Sequence, residues 1–179
     1  TTDQWPLEDE PHAIARMLEA LDRTLALYPD GFFRQMKNTM GEGGVRFMPV
    51  GHIENAVNAI GLTYETYGWQ NIYIDVTIDA FDGTICHEIW HAIEGVLLTR
   101  NWDAIDQEEW AACNPAGFSY NEDAETPDSN PERWTFFYEF SAQDVYFVDA
   151  YSRTNAKEDR ARIMEYIMAT EDVAGALVQ

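Results

Sequence analysis

Apolar residues recur at three- and four-residue intervals through Ile14, Met17, Leu18, Leu21, Leu25 and Tyr28, which predicts a helix from Pro11 to Tyr28. Pro11 is acceptable in a first helical turn, and residues 1–10 form an acidic, extended lead-in. Pro29-Asp30-Gly31 ends the helix, Phe32 to Lys37 reads as a further short helical stretch, and Gly41 to Gly44 as a loop. The period then changes to two. Val45 to Ile53 and Leu62 to Tyr67 read as strands and Gly68 to Asn71 as a turn. From Ile72 to Ile78, Ile72, Ile74, Val76 and Ile78 alternate with Tyr73, Asp75 and Thr77, a third strand. After punctuation at Phe81-Asp82-Gly83 the helical period returns over Thr84 to Leu98. Asn121 to Glu132 holds nothing large and apolar and reads as a surface loop; Trp134 to Phe147 reads as an aromatic β-ribbon; Ala156 to Ala169 reads as a last helix. This segregated order of elements argues for an α+β fold rather than a wound parallel sheet.

At 179 residues the chain suits one domain, residues 1–179, with a real core. Its 46% hydrophobic and 13% aromatic content excludes a disordered class. No apolar run is long enough to span a membrane. With 11 basic against 32 acidic residues the net charge is −21, so neither nucleic acid nor an anionic membrane surface is an expected partner. The acidity weakly favours basic or neutral guests. Cys86 and Cys113 make no disulfide framework and are expected as buried thiols. The first residues carry neither an initiator Met nor a signal segment, as in a trimmed or mature chain, and the expected location is extracytoplasmic or secreted.

The chemistry lies in His87-Glu88-Ile89-Trp90-His91, an H-E-x-x-H pattern on a predicted helix. Side chains at i and i+4 share a face, so two imidazoles can reach one tetrahedral Zn²⁺. With His87 at zero and about 100° per residue, His91 falls at about 40°, Thr84 at about 60°, Glu94 at about 340° and Glu88 at about 100°. Ile85, Cys86, Ile89, Trp90, Ala92, Ile93, Val96 and Leu97 fill the remaining arc, giving a buried helix with one polar stripe. Imidazoles and carboxylates on such a stripe are costly unless paired or bound to a metal. Glu88, set beside the metal, suits the base that deprotonates a zinc-activated water. The bland alternative is a pair of core histidines bonded to carboxylates.

A third ligand must come from elsewhere. Glu94 and Leu97 stand where the metzincin extension needs Gly and His, which excludes that class. Glu108 and Glu109 have a thermolysin-like spacing in a generically acidic segment. Glu158 opens the last helix on the border of its apolar face, whereas Asp159 is expected to point towards solvent. Asn155 with Glu158 three residues on would also make a capping box that needs no metal. Glu94 lies on the metal-facing stripe, where pairing with an arginine such as Arg160 is favoured over orienting or binding a metal. His12 and His52 receive no role.

Taken together, His87-Glu-Ile-Trp-His-Ala-Ile-Glu94, Phe147-Val-Asp-Ala-Tyr151 and Glu158-Asp-Arg-Ala161 resemble the bacterial zinc-binding metallopeptidases related to anthrax lethal factor. Asn114-Pro115, Gly117-Phe118 and Tyr120 resemble that family's loop after the active-site helix, and Tyr28 to Phe32 its opening segment. Similarity to lethal factor itself is slight outside the metal motif. The resemblance implies a zincin-like fold of the gluzincin type, a small mixed sheet packed on the active-site helix, and a C-terminal helix that supplies a ligand. It further implies zinc held by His87, His91 and Glu158, and a hydrogen bond to the developing oxyanion from Tyr151, seven residues before Glu158. Glu94 stands where lethal factor has an aspartate, which suggests a supporting acidic role. The function implied is zinc-dependent hydrolysis of peptide bonds in a peptide or protein substrate, with Glu88 as general base. Ile72 to Ile78, just before the active-site helix, is the candidate edge for an extended substrate. The alternatives are a non-catalytic zinc-containing binding module or an inactive peptidase homologue, and a calcium-binding surface at Asn121 to Asn130 that lacks the spaced ligands of an EF-hand.

Overall fold

The computed structural model describes residues 10–53, 59–78, 80–120, 146–149 and 151–169. Among these residues the fold is α+β, four helices around a three-stranded mixed sheet. Helix α1 spans Pro11–Leu25, α2 Phe81–Arg100, α3 Gln107–Ala112 and α4 Ala156–Ala169; the strands are β1 Gly44–Val50, β2 Gly61–Thr66 and β3 Trp69–Asp75. Glu10 starts α1 by accepting a 2.6 Å hydrogen bond from the Ala13 N–H, with Pro11 in the first turn. The helix stops short of the predicted Tyr28, which instead packs against Phe32 and Phe33 at centroid distances of 5.0 Å.

The sheet order is β1-β3-β2, with β1 parallel and β2 antiparallel to β3. Two expectations are corrected here. Gly68 to Asn71 is not the turn. The turn is Tyr67-Gly68, with φ of 52° and 80°, and Trp69 to Asn71 already belong to β3. Two successive positive φ values give the hairpin the twist of its strands, and Gly68 takes the second without penalty. The second correction concerns the substrate edge. β3 is the central strand, paired with β1 on one side and β2 on the other, so its ladder has no room for a peptide. Among the described residues the open edge beside α2 belongs to β2.

β3 is covered on both faces, which explains why it reads as an apolar strand. Ile72, Ile74 and Val76 pack into a core with Met17, Ala20 and Leu21 of α1 and Ile85, Ile89, Ala92 and Val96 of α2. Each of the Ile, Leu, Val and Met side chains contributes about 1.5–3 kcal/mol by leaving water. Tyr73 faces the other way, against Val50 and Ile53. Asp75 is buried at the end of β3 because four donors meet it: the N–H groups of Ile53 and Thr77, the Thr77 hydroxyl and His52 Nδ1. Burial opposes its ionisation, but those donors outweigh burial and hold the carboxyl below its usual range.

Helix α2 is longer than predicted at both ends. Phe81-Asp82-Gly83 is its first turn, where Arg23 of α1 grips Asp82 at 2.9 and 3.1 Å. Its middle is buried between the sheet and α4, while Leu97, expected on the apolar arc, is exposed as the helix emerges. Both cysteines are free thiols; Cys86 is buried, but Cys113 is exposed because α3 is a short surface helix with no buried residue. The expected loop at 121–132, the calcium alternative within it and most of the expected ribbon at 134–147 lie outside the described residues. No helix among the described residues is long and apolar enough to cross a membrane.

Candidate metal centre

Helix α2 presents His87 and His91 on one face, their rings 4.7 Å apart and nearly perpendicular. Helix α4 supplies the third group. Asn155 caps it, its Oδ1 accepting from the Lys157 and Glu158 N–H groups at 3.0 Å each, so the cap expected at Asn155 is present. The Glu158 side chain does not turn back to complete a capping box but reaches across to α2. Its Oε2 lies 3.0 Å from His87 Nε2 and 3.4 Å from His91 Nε2, and the two Nε2 atoms are 3.0 Å apart. Among the described residues this is the group of His, Cys, Asp and Glu side chains whose ligand atoms converge on one point.

Three ligand atoms at those separations suit a metal. A tetrahedral Zn²⁺ with bonds of about 2.0–2.1 Å has ligand-to-ligand edges of about 3.3 Å. The chemistry of the donors agrees. His87 Nδ1 lies 3.2 Å from Glu165 Oε2, so an Nδ1–H donated there leaves Nε2 as a bare lone pair directed at another imidazole and a carboxylate. With a carboxylate at each nitrogen, a neutral His87 is one donor short, and a cation at Nε2 makes up the difference. In the protein alone a proton fills that role: burial would lower the His87 imidazolium, but Glu158 and Glu165 at its two nitrogens outweigh burial and raise it to about 9. Burial would likewise raise Glu158, yet the two imidazoles hold its carboxyl well below the usual range.

Glu88 sits one residue round the helix, buried, and does not join that triangle. Its Oε2 is 2.7 Å from the Thr63 hydroxyl of β2. Burial pushes its carboxyl up against the pull of His87 and His91. Gly61 of β2 makes room for it: a Cβ there would lie 2.7 Å from both Glu88 Cγ and Thr84 Cγ2. Tyr151 lies in a single 3₁₀ turn, Tyr151–Arg153, that leads into α4. Its ring centroid is 6.2 Å from that of His87, and burial, reinforced by the charge of Glu158, pushes its hydroxyl up. His87, Glu88, His91, Tyr151 and Glu158 all border one cleft of about 460 Å³, whose opposite wall is β2 from Gly61 to Glu65.

The other acidic candidates are elsewhere. Glu108 and Glu109 are exposed in the first turn of α3, where Asp106 caps their N–H groups at 3.0 and 2.9 Å. Glu94 is bound by Arg160 in a buried bidentate pair at 2.7 and 3.0 Å, the pairing favoured for it from its place on the stripe. Asp159 does not point to solvent. It is buried, and the Tyr120 hydroxyl donates to it at 2.7 Å while accepting from Trp110 Nε1 and Asn114 Nδ2. The segment after α3 packs over the start of α4 and covers the side that a lone helix would expose; burial raises this carboxyl to about 6 despite those hydrogen bonds.

Sequence reading missed Glu165, Arg162, Asp149 and Thr63. Arg162 bonds both Glu165 and Asp149, locking the carboxylate that orients His87. A signal for Glu165 was available: seven residues beyond Glu158, it returns to nearly the same face of α4. Thr63 had none, because nothing local says that β2 lies against α2.

Set against models of known families, curated proteins and solved structures, the chain finds no match in any of the three.

Proposed function

We propose that this chain is a zinc-dependent peptidase of zincin-like, gluzincin type, with His87, His91 and Glu158 as metal ligands and Glu88 as general base. The observation that carries the reading is the convergence of His87 Nε2, His91 Nε2 and Glu158 Oε2 within 3.0–3.4 Å, beside a carboxylate that is not needed as a ligand. Bound zinc supplies Lewis acidity to a water and to the scissile carbonyl. Glu88, held by Thr63 and fitted against Gly61, takes the water's proton and returns it to the leaving amine. Tyr151 donates a hydrogen bond to the oxyanion from across the cleft. Glu165, clamped by Arg162, keeps His87 in the tautomer that offers Nε2. The peptide lies extended along β2, the edge strand bordering the cleft.

A closed structural site would have no use for Glu88, which separates this reading from a non-catalytic module. The test pairs metal analysis with a peptide library. The parent is expected to hold one zinc and cleave. Glu88→Gln keeps the zinc and loses about 10²–10⁴-fold in kcat, whereas Glu158→Ala loses the zinc. A parent that holds zinc and cleaves no peptide would favour the binding module.

A further inference from the structure

The cleft does not end at Glu158. A second, open chamber of about 490 Å³ shares Glu94, Lys157 and Glu158 with it and is lined further by Leu98, Trp102 and Gln107. The stripe of α2 explains the continuity: after His87, His91 and Glu94, Leu98 is the next residue on that face, at about 20° from His87. Beyond it stands Trp102, 81% exposed, a large ring with little to cover it. Charge narrows the occupant. Glu94 and Arg160 neutralise each other, and Glu158 is committed to the histidines. Lys157 disfavours a basic guest, and the apolar surface of Leu98 and Trp102 is the recognition element that remains.

Direction and distance follow from the elements. Gly61 lies against Thr84 and Glu88, whereas Gln70, paired with Glu65, lies against Gly95, so β2 runs alongside α2 in the same sense. A peptide in the more stable antiparallel ladder on β2 therefore lies with its N-terminal residues at the Leu98 end. From His91 to Leu98 the helix rises about 10 Å, the length of about three extended residues.

We propose that this chamber is a specificity subsite for a bulky apolar, above all aromatic, side chain about three residues to the N-terminal side of the scissile bond. The inference rests on the peptidase reading. It is tested without turnover, on the zinc-loaded protein, with acetyl-Xaa-Ala-Ala hydroxamates, whose hydroxamate binds zinc while the peptide covers that side of the groove. With Xaa as Trp or Phe, affinity is expected to exceed that for Ala, Asp or Lys about tenfold. Trp102→Ala removes the difference, Trp102→Phe keeps most of it, and the affinity of the all-alanine compound is the same in all three proteins. Zinc bound with no dependence on Xaa, or a dependence that survives Trp102→Ala, overturns the subsite and leaves the peptidase reading to the cleavage assay. A protein that takes up no zinc overturns both.

Discussion

Two polar clusters join α2 to α4, one helical turn apart on the same stripe, and they are built on opposite principles. At Glu94 and Arg160 a carboxylate meets a guanidinium through two parallel hydrogen bonds, and each charge is answered by the other. At His87, His91 and Glu158 two imidazole nitrogens and a carboxylate oxygen crowd within 3.0–3.4 Å, and His87 has a carboxylate at each of its ring nitrogens. The first cluster carries its own counter-charge and can be structural. The second is stable only with a cation at its centre, a proton or a metal. Buried polar groups in one region thus carry different meanings according to whether donors and acceptors balance.

The sharpest way to break the comparison is to remove one partner from the balanced pair. Glu94→Ala leaves the Arg160 guanidinium buried without its carboxylate and should cost about 3–5 kcal/mol in a denaturant titration. The protein that remains folded should still take up zinc. Equal loss of zinc affinity in Glu94→Ala and Glu158→Ala would erase the distinction between the clusters.

A smaller effect is expected from Glu165→Gln, which weakens the hold on His87 Nδ1 while leaving all three ligand atoms in place. Zinc affinity should fall about 10- to 100-fold in a competition titration with a chelator. An unchanged affinity would mean that packing alone orients the ring.

A further test is pH. Because the His87 imidazolium is raised to about 9 in the metal-free protein, protons compete with zinc, and the apparent affinity should rise with pH, by up to about tenfold per unit, until about 9. The sign for stability follows from the same shift. A raised folded-state pKa stabilises below the unfolded value of about 6.5 and that contribution disappears as pH rises to about 9. The metal-free protein should therefore lose stability over that interval and the zinc-loaded protein should not, as thermal melts at several pH values would show.

Much of this was legible in the residues. The helical period of α1, α2 and α4 and the H-E-x-x-H stripe are local signals, and each is set by neighbours three or four positions away. The Asn155 cap and the Glu94–Arg160 pair also follow from helix geometry and charge. What failed depended on packing. The alternation in Ile72 to Ile78 describes a strand but not its neighbours, and so does not distinguish an edge from the centre that β3 occupies. Tyr67-Gly68 lacks the Asn-Gly signature of its turn, and the burial of Asp159 is imposed by Tyr120, 39 residues away. Thr63 and Gly61 acquire meaning only when β2 is seen against Glu88.

Anomalous diffraction at the zinc absorption edge, on crystals grown with zinc, tests the central claim most directly. The account predicts one peak about 2.0–2.2 Å from each of His87 Nε2, His91 Nε2 and a Glu158 oxygen, with Glu88 outside bonding distance. A peak elsewhere, or imidazoles turned apart with no peak between them, would contradict it.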